Sequence, residues 1–178
     1  TASGKHEAAV ILAKMLNAEI ISIDSMKVYR GLDIGTAKPS REMLAQVRHH
    51  LIDILDLTDV YSAGRFVEDA HRVVEEIRSR GKRVLFVGGT FLYYKALMYG
   101  VFSGAGADPQ FRLEMKKLAE EKGVSHLHEM LRRQDPAAAA RIHHNDYKRI
   151  VRALEVFRKT GKPITELQTQ WSAPKNFG

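Results

Sequence analysis

The sequence predicts an α/β fold, a parallel sheet flanked by helices, followed by an all-helical segment. Three observations carry this expectation. Helical and extended hydrophobic periods alternate through residues 1–100. The extended runs are short and separated by helix-length intervals, which implies parallel strands with both faces covered. After Gly100 no convincing strand pattern remains.

In chain order, Ala8, Ala9, Leu12, Met15 and Leu16 form an apolar stripe at helical spacing, and Glu19–Ile23 reads as the first strand. Ser40 is placed to cap a helix over 41–48, and Leu51–Leu55 reads as a second strand. Phe66, Ala70, Val73, Val74 and Ile77 mark a helix between Ser62 and Arg80, with Gly81 as its stop. Val84–Val87 is a short apolar strand that runs into Gly88-Gly89-Thr90. Residues 103–108 look like a linker. Beyond it, Asp108-Pro109 and Asp135-Pro136 each pair a cap residue with proline at the first helical position, and Gly161 closes a helix that begins near Asn145.

The chain has 178 residues, 44% hydrophobic and 28% charged, enough for a buried core. No run approaches the ~18 apolar residues of a membrane span, and the first residues lack a signal-peptide pattern. With no cysteine, disulfides and thiolate metal sites are excluded, and a soluble, cytoplasmic protein is expected. The net charge of +7 is uneven, because residues 108–178 carry 14 Lys+Arg against 9 Asp+Glu. Such an excess suits a polyanionic partner, although solubility alone also accounts for it.

Ser3-Gly4-Lys5 opening a helix fits the second half of the P-loop pattern G-x-x-x-x-G-K-[ST]. Glycine lets the backbone wrap an anion, free amides at the helix start donate to it, and Lys5 adds charge. The position of the pattern's first glycine falls before Thr1, and His6 stands in place of Ser/Thr. Two further polar clusters, Asp24-Ser25 and Gly88-Gly89-Thr90, follow strands, so three clusters are expected on one rim of the sheet. Asp24 could act as a general base, hold a metal through water, or simply cap a turn.

In the helical segment, Ile150, Leu154 and Phe157 are expected inward, leaving Lys148, Arg152 and Lys159 as a basic stripe able to track a phosphate backbone or to serve as a solvated face. The pairs His49-His50, His126-x-His128 and His143-His144 lack the spacing of four that puts two rings on one helical face, which argues against zinc.

The run from Glu19 to Pro39, with its Asp24-Ser-Met-Lys-Val-Tyr-Arg-Gly-Leu-Asp-Ile-Gly-Thr-Ala-Lys-Pro39 block, resembles the tRNA dimethylallyltransferase (isopentenyl-diphosphate:tRNA transferase) family. So do His49-His50-Leu-Ile-Asp53, Gly88–Lys95, Asp135–His143, Asn145-Asp146 and Arg152–Pro163. The resemblance implies a P-loop NTPase-like core over 1–107, without its first strand, and an inserted helical tRNA-binding subdomain over 108–178 that stops before the family's return to the core. It implies transfer of a dimethylallyl group from dimethylallyl diphosphate to N6 of an adenosine beside the tRNA anticodon, by a monomer using Mg2+. Thr1, Ala2, Ser3, Gly4, Lys5 and His6 would form the diphosphate loop, Asp24 the base, and Thr90 a group near the reacting ends. Asp24, Ser25, Met26 and Lys27, with Lys148, Arg149, Ile150, Val151 and Arg152, match the family's tRNA-contacting segments.

His6 departs from the family's threonine, whose hydroxyl is the usual P-loop metal ligand. Imidazole is softer and bulkier, so metal affinity at His6 is in question. Prenylation of a free adenine nucleotide, as in cytokinin-type adenylate isopentenyltransferases, is the nearest alternative, and a tRNA-binding module without turnover is another. The block around Asp24 argues against a P-loop kinase.

Overall fold

The computed structural model describes residues 4–101 and 106–168, which fall into two compact units divided between those ranges. Thr1, Ala2, Ser3 and residues 103–105 of the expected linker lie outside the described residues.

In the first unit, α1 (Lys5–Leu16) starts at Gly4, whose φ of 63° lies in the left-handed region that favours glycine. Its buried side is Ala9, Val10 and Ala13, which shares only Ala9 with the expected stripe. Ala8, Leu12, Met15 and Leu16 are exposed. Small side chains one turn apart let the helix lie close against the sheet, and close fit here outweighs apolar bulk.

β1 (Ala18–Ile23) is buried throughout. Its side chains alternate, Ala18 and Ile20 joining the cluster of α1, while Ile21 and Ile23 join the larger one with Phe66, Ala70, Val73, Val74 and Ile77. Those five are the predicted inward face of α3 (Ala63–Ser79), whose cap Ser62 accepts a hydrogen bond from Arg65 N. β3 (Arg83–Gly88) alternates likewise, Val84 and Phe86 towards α3, Leu85 and Val87 towards α1. Helices thus cover both faces.

α2 (Arg41–Gln46) follows Ser40, which accepts from Met43 N as expected. The second strand is displaced from its predicted place: β2 comprises His49–His50 only. Leu51 and Asp53 have φ of 60° and 55°, and Asp53 N and Ile54 N donate to Lys27 O and Val28 O, so the chain turns from the sheet to pair with the segment after β1. Leu55 keeps a single parallel bridge, to Tyr29.

The described strands are all parallel, in the order β2-β1-β3. Ile23 pairs with Gly88, so the residues after β1 and β3 leave the sheet side by side. A Cβ on Gly88 would stand 2.0 Å from Ile23 O, a clash that restricts this strand end to glycine. α4 (Phe91–Tyr99) follows directly.

The second unit comprises α5 (Pro109–Lys122), α6 (Val124–Gln134), α7 (Pro136–Arg141), α8 (Tyr147–Thr160) and α9 (Ile164–Leu167). Both Asp-Pro signals act as predicted: Asp108 and Asp135 accept from Phe111 N and Ala138 N. Asp135, buried, also accepts from Thr165 N and Oγ1 and so ties α9 to α7. Each unit also buries one glutamate among cations. Glu19 contacts His50, Arg80 and Lys82, and Glu155 contacts Arg112, Arg152 and the Asp108 amide.

Candidate active site

The register of β1 and β3 brings the predicted strand-end clusters into contact. Ser25 N donates to Thr90 Oγ1 at 3.0 Å, and Thr90 N donates to Ile23 O at 3.2 Å. Thr90 precedes α4 but does not cap it with its side chain, so its hydroxyl serves this cross-strand contact instead. The start of α1 reaches the same rim, where Lys5 Nζ lies 4.0 Å from the point at which a Cβ on Gly89 would stand.

A cavity of about 260 Å³ opens here, lined by Gly4, Lys5, His6 and Glu7 of the α1 start, by Asp24 and Lys27, and by the segment from Thr36 to Ser40 with Met43. Asp24, half-buried, accepts from Met26 N at 2.9 Å and Lys27 N at 3.3 Å through Oδ1. The turn role expected of a strand-end aspartate is therefore real, and it fixes the carboxylate in the lining of the cavity.

The far wall was not legible as a site. Lys38 holds it, donating from Nζ to Tyr29 O at 2.7 Å, Asp33 Oδ1 at 2.8 Å and Asp53 Oδ1 at 2.5 Å. Burial pushes the Lys38 ammonium down, but Asp33 and Asp53 outweigh it and hold it above the ordinary lysine value. The sequence signal was a lysine and two aspartates spaced through a loop-rich stretch, within the blocks that carry the family resemblance.

Lys27 corrects a second expectation. Its side chain is 2% exposed and turns inward, with Nζ 2.5 Å from His6 Nε2, so it does not project as a cation towards RNA. Burial pushes its ammonium down, opposed by Asp24 and reinforced by Lys5. His6 is pushed down by burial first, then by the charges of Lys27, Lys5 and His49. Its Nδ1 is buried and has no hydrogen-bond partner among the described residues. Ser25 is half-buried and Met26 is 48% exposed.

In α8, Ile150 (0% exposed) and Val151 (3%) lie in the core of the helical unit, so their side chains are not available to RNA. Each follows from the amphipathic spacing that also buries Leu154, whereas Phe157, expected inward, is only half-buried. Lys148 and Arg149 are exposed. Arg152 pairs with buried Glu155 at 2.6 Å, and Lys159 donates to Gly106 O and Ala107 O, so two members of the expected basic stripe have structural roles. The histidine pairs do likewise: His49 contacts Val47 O, His128 contacts Ala139 O and Ile142 O, and His143 stacks on His144.

A helix start and two strand ends that meet on the carboxyl rim of a parallel sheet mark the first unit as a P-loop-like α/β protein. The profile of the family described as IPP transferase matches residues 27–177. The chain belongs to that family. A tRNA dimethylallyltransferase of Geobacter sulfurreducens is 52% identical over 170 residues, 96% of this chain and 55% of that protein. One from Cupriavidus necator is 51% identical over 177 residues, 99% of this chain and 55% of its own length. This chain spans about half the length of the curated relatives it matches. Among solved structures, a eukaryotic dimethylallyltransferase acting on tRNA matches with a TM-score of 0.82 at 29% identity, over 99% of this chain and 44% of that one. A tRNA isopentenylpyrophosphate transferase from Bacillus halodurans matches with a TM-score of 0.57 at 46% identity, over 92% and 54%.

A family that acts on a diphosphate is compatible with a divalent cation. The side chain at the P-loop metal position does not fit one. His6 offers a nitrogen where hard cations take oxygen, and Lys27 occupies that nitrogen. Three lysines line the same cavity, and among the described residues no three His, Cys, Asp or Glu side chains group as a metal site. In the second unit and the first alike, no described helix is long and apolar enough to cross a membrane.

Proposed function

We propose that this protein transfers a dimethylallyl group from dimethylallyl diphosphate to N6 of the adenosine adjacent to the anticodon of tRNA, acting as a cytoplasmic monomer. The observation that carries the reading is Asp24, a carboxylate fixed by its own turn in the lining of a cavity that Gly4, Lys5, His6 and Lys27 also line. The family and the activity named for its relatives support it.

In the reaction, N6 attacks the allylic carbon and the carbon–oxygen bond to the diphosphate breaks, its electron pair leaving with the diphosphate. N6 gives up a proton to Asp24. An allylic carbon ionises readily once the departing charge is stabilised, and amides at the start of α1 together with Lys5 suit that task. Thr90 holds the Ser25 amide and so keeps the Asp24 turn against β3. Residue 6, a histidine, offers a Mg2+ ion no hydroxyl at the P-loop metal position. The adenine must leave its stack, a cost of a few kcal/mol that RNA contacts offset. Lys148, exposed on α8, is assigned to a phosphate contact, its neighbour Arg149 being paired with Asp146, and Ser25 and Met26 are assigned to the RNA beside Asp24.

The test is transfer of label from dimethylallyl diphosphate to an anticodon stem-loop or to AMP. Label in the stem-loop alone supports the reading, and label in AMP alone replaces it with an adenylate isopentenyltransferase. Stem-loop binding without label leaves a binding module. Asp24→Asn lowers transfer about 10³-fold, within the range for loss of a general base, with stem-loop affinity held within about threefold. Residual turnover with a large affinity loss removes Asp24 from the role of base.

A further inference from the structure

Two buried lysines line the cavity, and they differ in their counter-charges. Lys38 is satisfied by Asp33, Asp53 and a carbonyl, which makes it a structural pin. Lys27 is as deeply buried, yet its ammonium contacts a histidine ring, and its nearest acidic influence, Asp24, uses Oδ1 on backbone amides. A buried cation without an adjacent carboxylate is costly unless something anionic joins it.

The histidine extends the point. Lys27 donates to His6 Nε2, so the ring proton belongs on Nδ1, the buried atom that no described residue accepts from. Lys27 and His6 thus line the cavity as a hydrogen-bonded pair in which, among the described residues, the ammonium contacts no carboxylate and the imidazole Nδ1 has no acceptor, beside Lys5 and the first turn of α1. In the P-loop arrangement this corner is where a Ser/Thr hydroxyl holds a metal against phosphate oxygens. Here the corner carries cationic donors, and a metal would meet repulsion from them.

We infer that Lys27, oriented by His6, takes the place of the P-loop metal ion in binding the diphosphate, so that this protein binds its diphosphate substrate without Mg2+. The inference rests on the diphosphate-transfer reading above. Its chemistry is that of a charge-assisted hydrogen bond from a fixed ammonium to a phosphate oxygen, supplied by the protein rather than carried in with the ligand. Burial first, and then the charge of Lys5 on Lys27 and of Lys27 and Lys5 on His6, pushes both groups down, and an anion bound beside them opposes that shift.

Calorimetric titration of the intact protein with inorganic pyrophosphate and with dimethylallyl diphosphate, each in EDTA and in Mg2+, tests this. Both probes bind in EDTA, and Mg2+ changes Kd by less than about threefold. Lys27→Met, close in volume, weakens binding in EDTA by about 10–100-fold, the range for loss of a hydrogen bond to a charged group. His6→Thr, which restores the hydroxyl, makes binding respond to Mg2+ by about tenfold or more. Binding by the unaltered protein that requires Mg2+ overturns the inference and leaves the transferase reading intact. The same holds if Lys27→Met keeps its fold, judged by circular dichroism, and its affinity in EDTA. Absence of binding of both probes in both conditions overturns the transferase reading and the inference with it.

Discussion

The cations around the cavity of the α/β unit and those of the helical unit are arranged on opposite principles. Around the cavity, Lys5 and Lys27 converge with His6, and the one lysine that is fully paired there, Lys38, supports the wall. In the helical unit, Arg112 and Arg152 close on Glu155, Arg158 on Glu114, Arg132 and Arg133 on Glu129, and Arg149 on Asp146. Yet the helical segment carries most of the net positive charge. Net charge therefore does not locate a ligand. Cations that lack acidic partners of their own, wherever they sit, are the ones placed to meet an anion.

The largest expected effect separates structural charge from site charge. Glu155 is fully buried and fixes two arginines and the Asp108 amide, so Glu155→Gln leaves two part-exposed guanidinium groups against a buried neutral amide. A loss of about 3 kcal/mol in urea unfolding is expected for breaking a buried pair, with pyrophosphate affinity unchanged. Glu19→Gln, against Arg80, His50 and Lys82, is expected to behave alike. A change in pyrophosphate affinity comparable to that of Lys27→Met would erase the distinction.

Acid sharpens the same contrast. Burial alone pushes the Glu19 carboxyl up, but hydrogen bonds from Arg80 and His50, with the charge of Arg80, bring it down to about 2. Glu155 likewise is driven up by burial and brought down to about 2 by Arg112, the Asp108 amide and Arg152. Both folded values lie below the ordinary 4.5, so their stabilisation is complete above that value and is lost as pH falls from there towards 2. The urea midpoint is expected to drop between pH 5 and pH 2. In the Glu19→Gln, Glu155→Gln double variant the drop is shallower, and variant and parent converge near pH 2. Parallel acid profiles would mean that other carboxylates carry the loss.

How much of this was written in the sequence depends on the range of the interaction that decides each feature. Caps and amphipathic faces are local, and Ser40, Ser62, Asp108, Asp135 and the five inward residues of α3 stand where their patterns put them. The rim was legible because parallel strands of matched length end together, which brings Thr90 to Ser25. The side of α1 that packs was not, since apolar count suggested Leu12 and Met15 while the sheet accepts only the slim Ala9–Ala13 face. Nor was the shortened β2, because a backbone exchange with residues 27–28 competes with the sheet. Lys27 and Lys38 were illegible for a related reason. Sequence marks a lysine as a surface charge until distant partners, His6 for one and Asp53 for the other, show where it turns.

The smallest effect concerns the exposed end of α8, and it tests whether the comparison extends to RNA. Lys148 is exposed in the first turn, whereas Arg132 on α6 already pairs with Glu129 at 2.8 Å. A phosphate contact releases condensed counterions, so each lysine that makes one adds about 0.7–0.9 to the slope of log affinity against log salt. A paired arginine adds less, because its counter-charge comes from the protein and the approaching phosphate meets Glu129 as well. Lys148→Ala is therefore expected to weaken anticodon stem-loop binding only a few-fold, while lowering the salt slope by about one contact. Arg132→Gln leaves Glu129 its second partner, Arg133, and is expected to leave the slope in place. Equal slopes for the two variants would show that pairing within the helical unit does not decide which cations reach RNA.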